Sequence, residues 1–374
     1  MLILSAVLSI FVYGIIAAML GTILPDISRR FSLSPKQNGN IAMAQAIGLM
    51  IGSFAVGPMM DLHGVKTGLM LGLILVALAL LALRAATGYV MLLVVLLALG
   101  AGGGAIVNGA NGLPPAIKLG SLKPAGVFNL LNLFFGLGGL VTPLVAAKLF
   151  RNNVSRLLVF ATSIVAVTVG VSGITAMPPP KGQVSFQFSA VSSLVSQPSL
   201  WLLSLMLFMY VSCEVGVWNW LVRHLVAQGL EEGKALTILS LGFALGLLLG
   251  RVAVSPILTG VRPETVLVAA SALMAVTTYL MLQAKSPVMA QSSVFLAGIA
   301  MAPVFPTTLA VVNDRFNALA STATGIALVC GWLGLVVSSP IIGGIAGDDP
   351  TRLKKALLLI PAASLIMAVV SLGL

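Results

Sequence analysis

The sequence predicts an all-α membrane protein in which twelve transmembrane helices form two six-helix repeats. The first observation behind this prediction is composition: 59% of the 374 residues are hydrophobic, 8% are charged, and the mean hydropathy is +1.12. A soluble protein carries about 25% charged residues. The second observation is a sequence pattern that recurs 198 residues later in the chain. A chain of this composition could not keep its surface in water, so we expect it to lie in a membrane.

The twelve helices follow from the length of the apolar segments. A hydrocarbon core about 30 Å thick requires roughly 20 apolar residues per helix. Scanning at that length gives segments at approximately residues 2–24, 38–60, 67–84, 89–113, 124–149, 155–177, 200–222, 234–258, 264–283, 287–312, 319–345 and 354–374. The first segment is too long for a signal-peptide core, so we expect a retained helix. Pro143, Pro303 and Pro340 favour kinks in their helices, because proline breaks the hydrogen-bond ladder.

The repeat shows that the two halves of the chain follow one plan. GLMIGSFAVGP, which begins at Gly48, matches GLLLGRVAVSP, which begins at Gly246. The same offset places Gly100 on Gly298. A long polar stretch, rich in proline, serine and glutamine, separates the halves. We therefore expect an N-terminal six-helix bundle at 1–177, a cytoplasmic linker at 178–199 and a C-terminal six-helix bundle at 200–374.

One carboxylate, Glu214, lies well inside a predicted apolar helix, where an ionisable group is costly and functional by default. Side-chain amides both donate and accept hydrogen bonds, as sugar hydroxyls do, and aromatic rings can lie against the C–H face of a sugar. Amides and tryptophans in predicted helices are therefore candidate substrate-binding residues. They are Gln45, Asn108, Asn111, Asn129, Asn132, Trp218, Asn219, Trp220 and Trp332.

Two pairs of these amides have a spacing that favours a shared role. Asn108 with Asn111, and Asn129 with Asn132, are spaced i,i+3, which places each pair on one helix face. Each pair could therefore point into one cavity. The alternative is that the asparagines hydrogen-bond neighbouring helices together.

The residues around Glu214 also leave alternatives open. Trp218 and Trp220 are spaced i,i+2, so at most one of them can meet a substrate. Glu214 could couple transport to a cation, by carrying a proton or by binding sodium through its oxygen atoms. Its alternative role is that of a structural partner for Arg251, which lies in the next predicted helix.

Several stretches resemble known transporters. GPMMDLHGVK, which contains Gly57, Asp61, Gly64 and Lys66, resembles the gating loop between helices 2 and 3 of the major facilitator family, although His63 departs from its pattern. Four stretches resemble helices of the fucose–proton symporters and their sodium–glucose branch. Helices 7 and 8 are resembled by YVSCEVGVWNWLVRHL and LTILSLGFALGLLLGR, helix 5 by NLLNLFFGLGGLVTP, and helix 10 by MAPVFPTTLAVVNDR. Together they cover roughly a third of the chain. The resemblance implies the major facilitator fold, and gating roles are expected for Asp61 and Arg251.

The resemblance implies a secondary transporter of a hexose such as glucose, galactose or fucose, working by alternating access as a monomer. Fucose–proton symporters are expected to carry acidic residues in helices 1 and 4. In this chain, helix 1 has no carboxylate before Asp26, and helix 4 has Asn108 and Asn111 instead of acids. A proton cycle through those positions is excluded, so any coupling to sodium or protons falls to Glu214. The alternative is a major facilitator exporter of drugs or other small metabolites.

Charge and motifs exclude other classes of function. The net charge is +11, but the basic residues lie in loops, so we expect them to meet the lipid bilayer and not nucleic acid. No metal-ligand spacing, G-x-S-x-G motif or phosphate loop occurs, so we expect no enzyme activity, cofactor or metal. The family implies cytoplasmic termini, in a bacterial inner membrane. That orientation leaves thirteen Lys and Arg outside against seven inside, whereas the positive-inside rule favours the opposite.

Overall fold

A computed structural model describes residues 1–150, 153–180, 188–347 and 349–374. These residues form helices and connecting turns, with no strand among them. Within these described ranges, twelve helices are long and apolar enough to cross a membrane. We number them α1 (Leu2–Arg30), α2 (Pro35–His63), α3 (Val65–Arg84), α4 (Tyr89–Ala116), α5 (Pro124–Leu149), α6 (Val154–Ile174), α7 (Pro198–Ala227), α8 (Glu232–Gly260), α9 (Pro263–Leu282), α10 (Pro287–Arg315), α11 (Asn317–Ala346) and α12 (Thr351–Leu372). The predicted twelve-helix fold is confirmed.

Local sequence explains where several helices begin and end. At the start of α2, the Ser34 hydroxyl accepts the Gln37 N–H at 3.3 Å, and the Gln37 side chain accepts the Ser34 N–H at 2.9 Å. This reciprocal cap satisfies two N–H groups that the helix cannot. At the start of α6, the Asn153 side chain accepts the Arg156 N–H at 3.0 Å. Gly64 has a φ of +87°, which glycine adopts at no steric cost, so one residue turns the chain from α2 into α3.

Prolines interrupt two of the helices in which kinks were predicted. After Pro143, the last turn of α5 widens into a π-helix at Val145–Leu149. Pro303 lies at a break in α10, as expected for a residue that has no N–H to donate. By contrast, α11 stays helical through Pro340. A second π-helical segment, Leu239–Ala244, lies within α8, and such segments widen the helix locally.

The glycines shared by the two repeats lie where helices approach each other most closely. A Cβ at Gly48 or Gly52 on α2, or at Gly100 on α4, would overlap backbone atoms of the other helix. In the second repeat, a Cβ at Gly246 on α8 or Gly298 on α10 would do the same. Small residues permit such backbone contact between membrane helices. The repeated sequence therefore specifies the same helix pairing twice.

The chain divides into two compact units. Unit 1 comprises Met1–Ile117, Leu131–Leu194 and Asn313–Val329, and unit 2 comprises Lys118–Leu130, Val195–Val312 and Cys330–Leu374. Each unit therefore includes a segment from the other half of the sequence. The six-helix bundles at 1–177 and 200–374 remain predictions. Within the predicted linker, residues 188–195 form a short helix, and residues 181–187 lie outside the described residues.

Candidate functional site

The intramembrane carboxylate lies within a polar cluster of unit 2. Glu214, half-buried on α7, interacts electrostatically with Arg251 on α8. Tyr210 and Trp218 lie one helical turn to either side of Glu214 on the same face of α7, and both side chains approach its carboxylate. Tyr210 is fully buried, and Arg251 is 4% exposed. We call Tyr210, Glu214, Trp218 and Arg251 the Glu214 cluster.

The Glu214 cluster combines two opposite charges in an apolar environment. A buried charge is tolerated in a membrane only when another group compensates it, and here Glu214 and Arg251 compensate each other. Protonation of the carboxylate would remove the attraction and leave the Arg251 charge uncompensated by Glu214. The Tyr210 hydroxyl, which has no hydrogen bond of ordinary geometry to any described residue, could donate to either form of the acid.

The predicted aromatic and amide residues near Glu214 point in different directions. Trp218 is 39% exposed and packs edge-on against Phe243, with ring centroids 5.3 Å apart. Trp220 is half-buried beneath an arginine guanidinium 5.6 Å from its ring centroid. The exposed Asn219 donates to a serine hydroxyl of α11 at 2.7 Å. Trp332 is buried on α11. Of these four residues, Trp218 is the one that joins the Glu214 cluster.

In unit 1, two of the predicted amides meet directly. Asn132 on α5 donates its Nδ2–H to Oδ1 of Asn111 on α4 at 3.0 Å, and both side chains are buried. Gln45 on α2 donates to the Ile16 carbonyl of α1 at 3.4 Å. Its buried side-chain oxygen has no donor among the described residues. Gln45 therefore offers an acceptor that a hydroxyl group could satisfy.

Asn108 and Asn129 form hydrogen bonds between the two halves of the sequence. Within unit 1, Nδ2 of Asn108 donates to the carbonyl of Ser53 at 2.8 Å and to that of Ser321 at 3.1 Å. Within unit 2, Nδ2 of Asn129 donates to the Thr307 hydroxyl at 3.0 Å. The carboxamide oxygens of both asparagines are buried without a described donor. In each asparagine, the side-chain nitrogen thus bonds another helix, while the side-chain oxygen stays available to accept a hydrogen bond from a ligand.

Asp61 on α2 accepts three hydrogen bonds from the start of α11. Its Oδ1 accepts the Ser321 N–H at 3.0 Å, and its Oδ2 accepts the N–H and the hydroxyl of Thr322 at 2.8 and 2.6 Å. The regular α-helix of α11 begins at Ala320, so these N–H groups are first-turn donors that lack intrahelical partners. The helix dipole also favours a negative charge at that end. We call Asp61, Ser321 and Thr322 the Asp61 latch, because it fastens α11 to α2.

Two glycines permit this contact between α2 and α11. A Cβ at Gly57 would lie 2.7 Å from the Ser321 carbonyl oxygen, and one at Gly325 would overlap the Ser53 carbonyl oxygen. Ser53, Gly57 and Asp61 are spaced i,i+4 and therefore lie along one face of α2. The latch thus depends on the absence of side chains beside it as well as on the Asp61 carboxylate.

Sequence reasoning missed the partners of these residues. Ser321 and Thr322 carried one signal, since hydroxyl residues are common where a helix begins, but nothing linked them to Asp61. Tyr210 and Thr307 carried no signal that distinguished them from other helix residues. Arg251, for which gating was expected, lies beside Glu214 in unit 2; its gating role stays a prediction.

Twelve helices that could span a membrane, encoded by a sequence whose two halves repeat, are an architecture found in many transporters. The chain belongs to the Major Facilitator Superfamily, whose family model matches residues 6–339. It is therefore a multi-pass integral membrane protein of a transporter family, and transporters of this kind need no cofactor. Among the described residues, no group of three or more His, Cys, Asp or Glu could hold a metal ion.

Solved structures share the fold over nearly the whole chain. FucP, a Major Facilitator Superfamily transporter in the outward conformation, is 19% identical with a TM-score of 0.86, covering 99% of this chain and 98% of FucP. The proton:xylose symporter XylE, bound to 6-bromo-6-deoxy-D-glucose, is 13% identical with a TM-score of 0.80, covering 98% and 94%. The human organic anion transporter MFSD10 is 14% identical with a TM-score of 0.78, covering 99% and 98%. No curated protein matches the sequence.

Proposed function

We propose that the protein transports a small sugar across a bacterial inner membrane by alternating access, as a monomer, and that Glu214 couples this transport to protons. The observation that carries the proposal is the Glu214 cluster, which joins an acid, a guanidinium, a phenol and an exposed tryptophan face on α7 and α8. Similarity in fold to a fucose:proton symporter and a proton:xylose symporter supports the same class of cargo.

The choice of protons over sodium rests on Arg251. A sodium ion at the Glu214 carboxylate would lie close to a second positive charge, which opposes its binding. A proton neutralises the carboxylate and needs no further oxygen ligands, whereas sodium, a hard cation, requires several. The charge pair of Glu214 and Arg251 therefore favours a protonation cycle.

Sugar binding is supported by buried acceptors that have no donor among the described residues. Within unit 1, the side-chain oxygens of Gln45 and Asn108 are buried without described donors. A buried acceptor without a partner is costly, and a sugar hydroxyl would satisfy it by donating a hydrogen bond. Separately, within unit 2, the exposed aromatic face of Trp218 offers a surface for the C–H face of a pyranose.

Alternating access requires a contact that forms in one state and breaks in another. The Asp61 latch has the required character, because it joins α2 of the first repeat to α11 of the second through three hydrogen bonds. Because these contacts are hydrogen bonds, they can break when the two helices separate and form again when the helices return. We assign the gating role to Asp61 on this basis.

A second candidate cargo is an organic anion or a drug-like metabolite, moved outward. The observation that favours it is the buried positive charge of Arg251, which could pair with an anionic substrate in place of Glu214. MFSD10, an organic anion transporter, shares the fold.

The test is uptake of radiolabelled glucose, galactose and fucose into proteoliposomes, with proton and sodium gradients imposed separately. Glu214→Gln is the test variant. Glu231→Gln is the matched control, because Glu231 forms only a surface pair with Lys234, with side chains 73% and 69% exposed. We expect wild type and the Glu231→Gln control to accumulate sugar when a proton gradient is imposed. Glu214→Gln should lose this accumulation but keep sugar exchange. An absence of sugar uptake and exchange, with counterflow of a labelled organic anion, would reject the sugar proposal in favour of the second candidate.

A further inference from the structure

Unit 1 carries a groove between the end of α3 and the start of α6, away from the latch and the amides. Its volume is about 400 Å³, within the range of roughly 300–1,000 Å³ typical of small-molecule sites. Its lining consists of Arg84, Phe150, Ser155, Arg156, Val159 and Phe160. None of these residues takes part in the proposed transport function.

The two arginines give the groove a positive charge that no described carboxylate neutralises. Arg84 and Arg156 are both exposed, and neither forms an ion pair with an acid of the described chain. Two acids of unit 1 are engaged elsewhere: Asp26 pairs with Arg29, and Asp61 binds the start of α11. Two positive charges bordering one space repel each other, and an anion between them would reverse that interaction.

The groove also has an apolar wall. The rings of Phe150 and Phe160 pack edge to face, with centroids 5.8 Å apart. Val159 is 46% exposed beside them. Ser155 adds a hydroxyl group at the polar side. A ligand that fits both parts must carry an anionic group and a hydrocarbon chain.

The position of the groove indicates where that ligand resides. Arg84 is the last residue of α3, and Arg156 lies in the first turn of α6. The ends of spanning helices lie at the level of the lipid headgroups. Arginines at this level can reach the phosphate groups of the lipids, and each guanidinium can bind a phosphate through two parallel hydrogen bonds.

We propose that this groove binds the phosphate of an anionic phospholipid between Arg84 and Arg156, with an acyl chain against Phe150 and Phe160. The site is independent of the transported substrate. Its occupant is supplied by the membrane in which the protein lies.

The test measures lipid binding to the purified full-length protein by native mass spectrometry, during titration with phosphatidylglycerol or phosphatidylcholine. We expect wild type to retain one phosphatidylglycerol more tightly than any phosphatidylcholine. The double variant Arg84→Gln with Arg156→Gln should weaken that binding roughly thirtyfold, since each arginine near a headgroup strengthens binding about fivefold. The matched control is Arg262→Gln with Arg352→Gln, which removes the same charge at arginines already paired with Glu264 and Asp349.

Three outcomes would overturn the proposal: equal retention of the two lipids by wild type, an equal loss of binding in the control, and displacement of the bound lipid by millimolar glycerol phosphate. The last outcome would identify a site for free phosphate esters. The wild-type comparison of lipids decides the question even if the double variant fails to fold. Retention that persists in Phe150→Ala with Phe160→Ala at wild-type strength would refute the acyl-chain contact.

Discussion

Replacement of Asp61 by asparagine tests whether the latch holds α11 against α2. The carboxylate accepts three hydrogen bonds, two of them at Oδ2. Asparagine replaces that oxygen with an NH₂ group, which cannot accept from the Thr322 N–H. A hydrogen bond to a charged group contributes about 1.5–3 kcal/mol. Two lost bonds at the lower value, which suits a half-buried site, destabilise the latched state by about 3 kcal/mol, or roughly a hundredfold in its equilibrium.

Amide hydrogen exchange reads this equilibrium directly, because the Ser321 and Thr322 N–H groups are themselves the donors. We expect peptides that cover residues 317–325 to exchange roughly a hundredfold faster in Asp61→Asn than in wild type. Asp26→Asn is the matched control, since Asp26 forms only a pair with Arg29, whose side chain is 79% exposed. Unchanged exchange at 317–325 in Asp61→Asn would refute the latch. A uniform rise across α7 and α9 would indicate general unfolding instead.

Three further predictions concern a glycine beside the latch, an asparagine pair and a helix cap. Gly57→Ala should weaken the latch by about 1–3 kcal/mol through overlap and raise exchange at 317–325, whereas Gly21→Ala, where a Cβ meets no atom within 4 Å, should not; equal effects would contradict the close-contact argument. Asn132→Ala should lower thermal stability by about 1–3 kcal/mol, because it leaves the buried Asn111 oxygen without this donor, and adding Asn111→Ala should cost less than the sum of the single changes. Hydrogen bonds from Thr351 lower the pKa of Asp349. The ionised Asp349 side chain should therefore stabilise the helix at Pro350–Leu357 at neutral pH, and this stabilisation should disappear as the pH falls through that pKa. Amide hydrogen exchange at 350–357 that rises equally with acid in wild type and Asp349→Asn would contradict this.

The fold could be read from the sequence because its main determinants are local. A run of about 20 apolar residues specifies a spanning helix wherever it occurs. The repeat could also be detected in the sequence, because Gly48 and Gly246 each lie at the same close contact between helices in their half of the chain. The bend at Pro303 followed from the chemistry of one residue. The continuous helix at Pro340 did not, since the residues around a proline decide whether its helix is interrupted.

The sequence predicted which residue types the candidate site contains, but not which residues contact each other. Sequence spacing placed Asn108 and Asn111 on one helix face, yet it could not show that Asn108 meets Ser321, 213 residues away. Asp61 was expected to gate, but its partner Thr322 lies 261 residues along the chain. Such contacts depend on how helices pack, which no local pattern encodes. Whether the amides bind substrate stays a prediction.

The close pairing of α2 and α4 has a consequence for the candidate amides that the two helices carry. The backbone oxygen of Gln45 lies directly against Gly100, and Asn108 and Asn111 follow on the same helix as Gly100. Because no side chains lie between the two backbones at this crossing, the helices have little room to slide or rotate against each other. We therefore expect the spacing between Gln45 and the two asparagines of α4 to change little when other helices move. This part of the candidate site is shaped before the substrate arrives, and any adjustment to a particular cargo has to come from other helices.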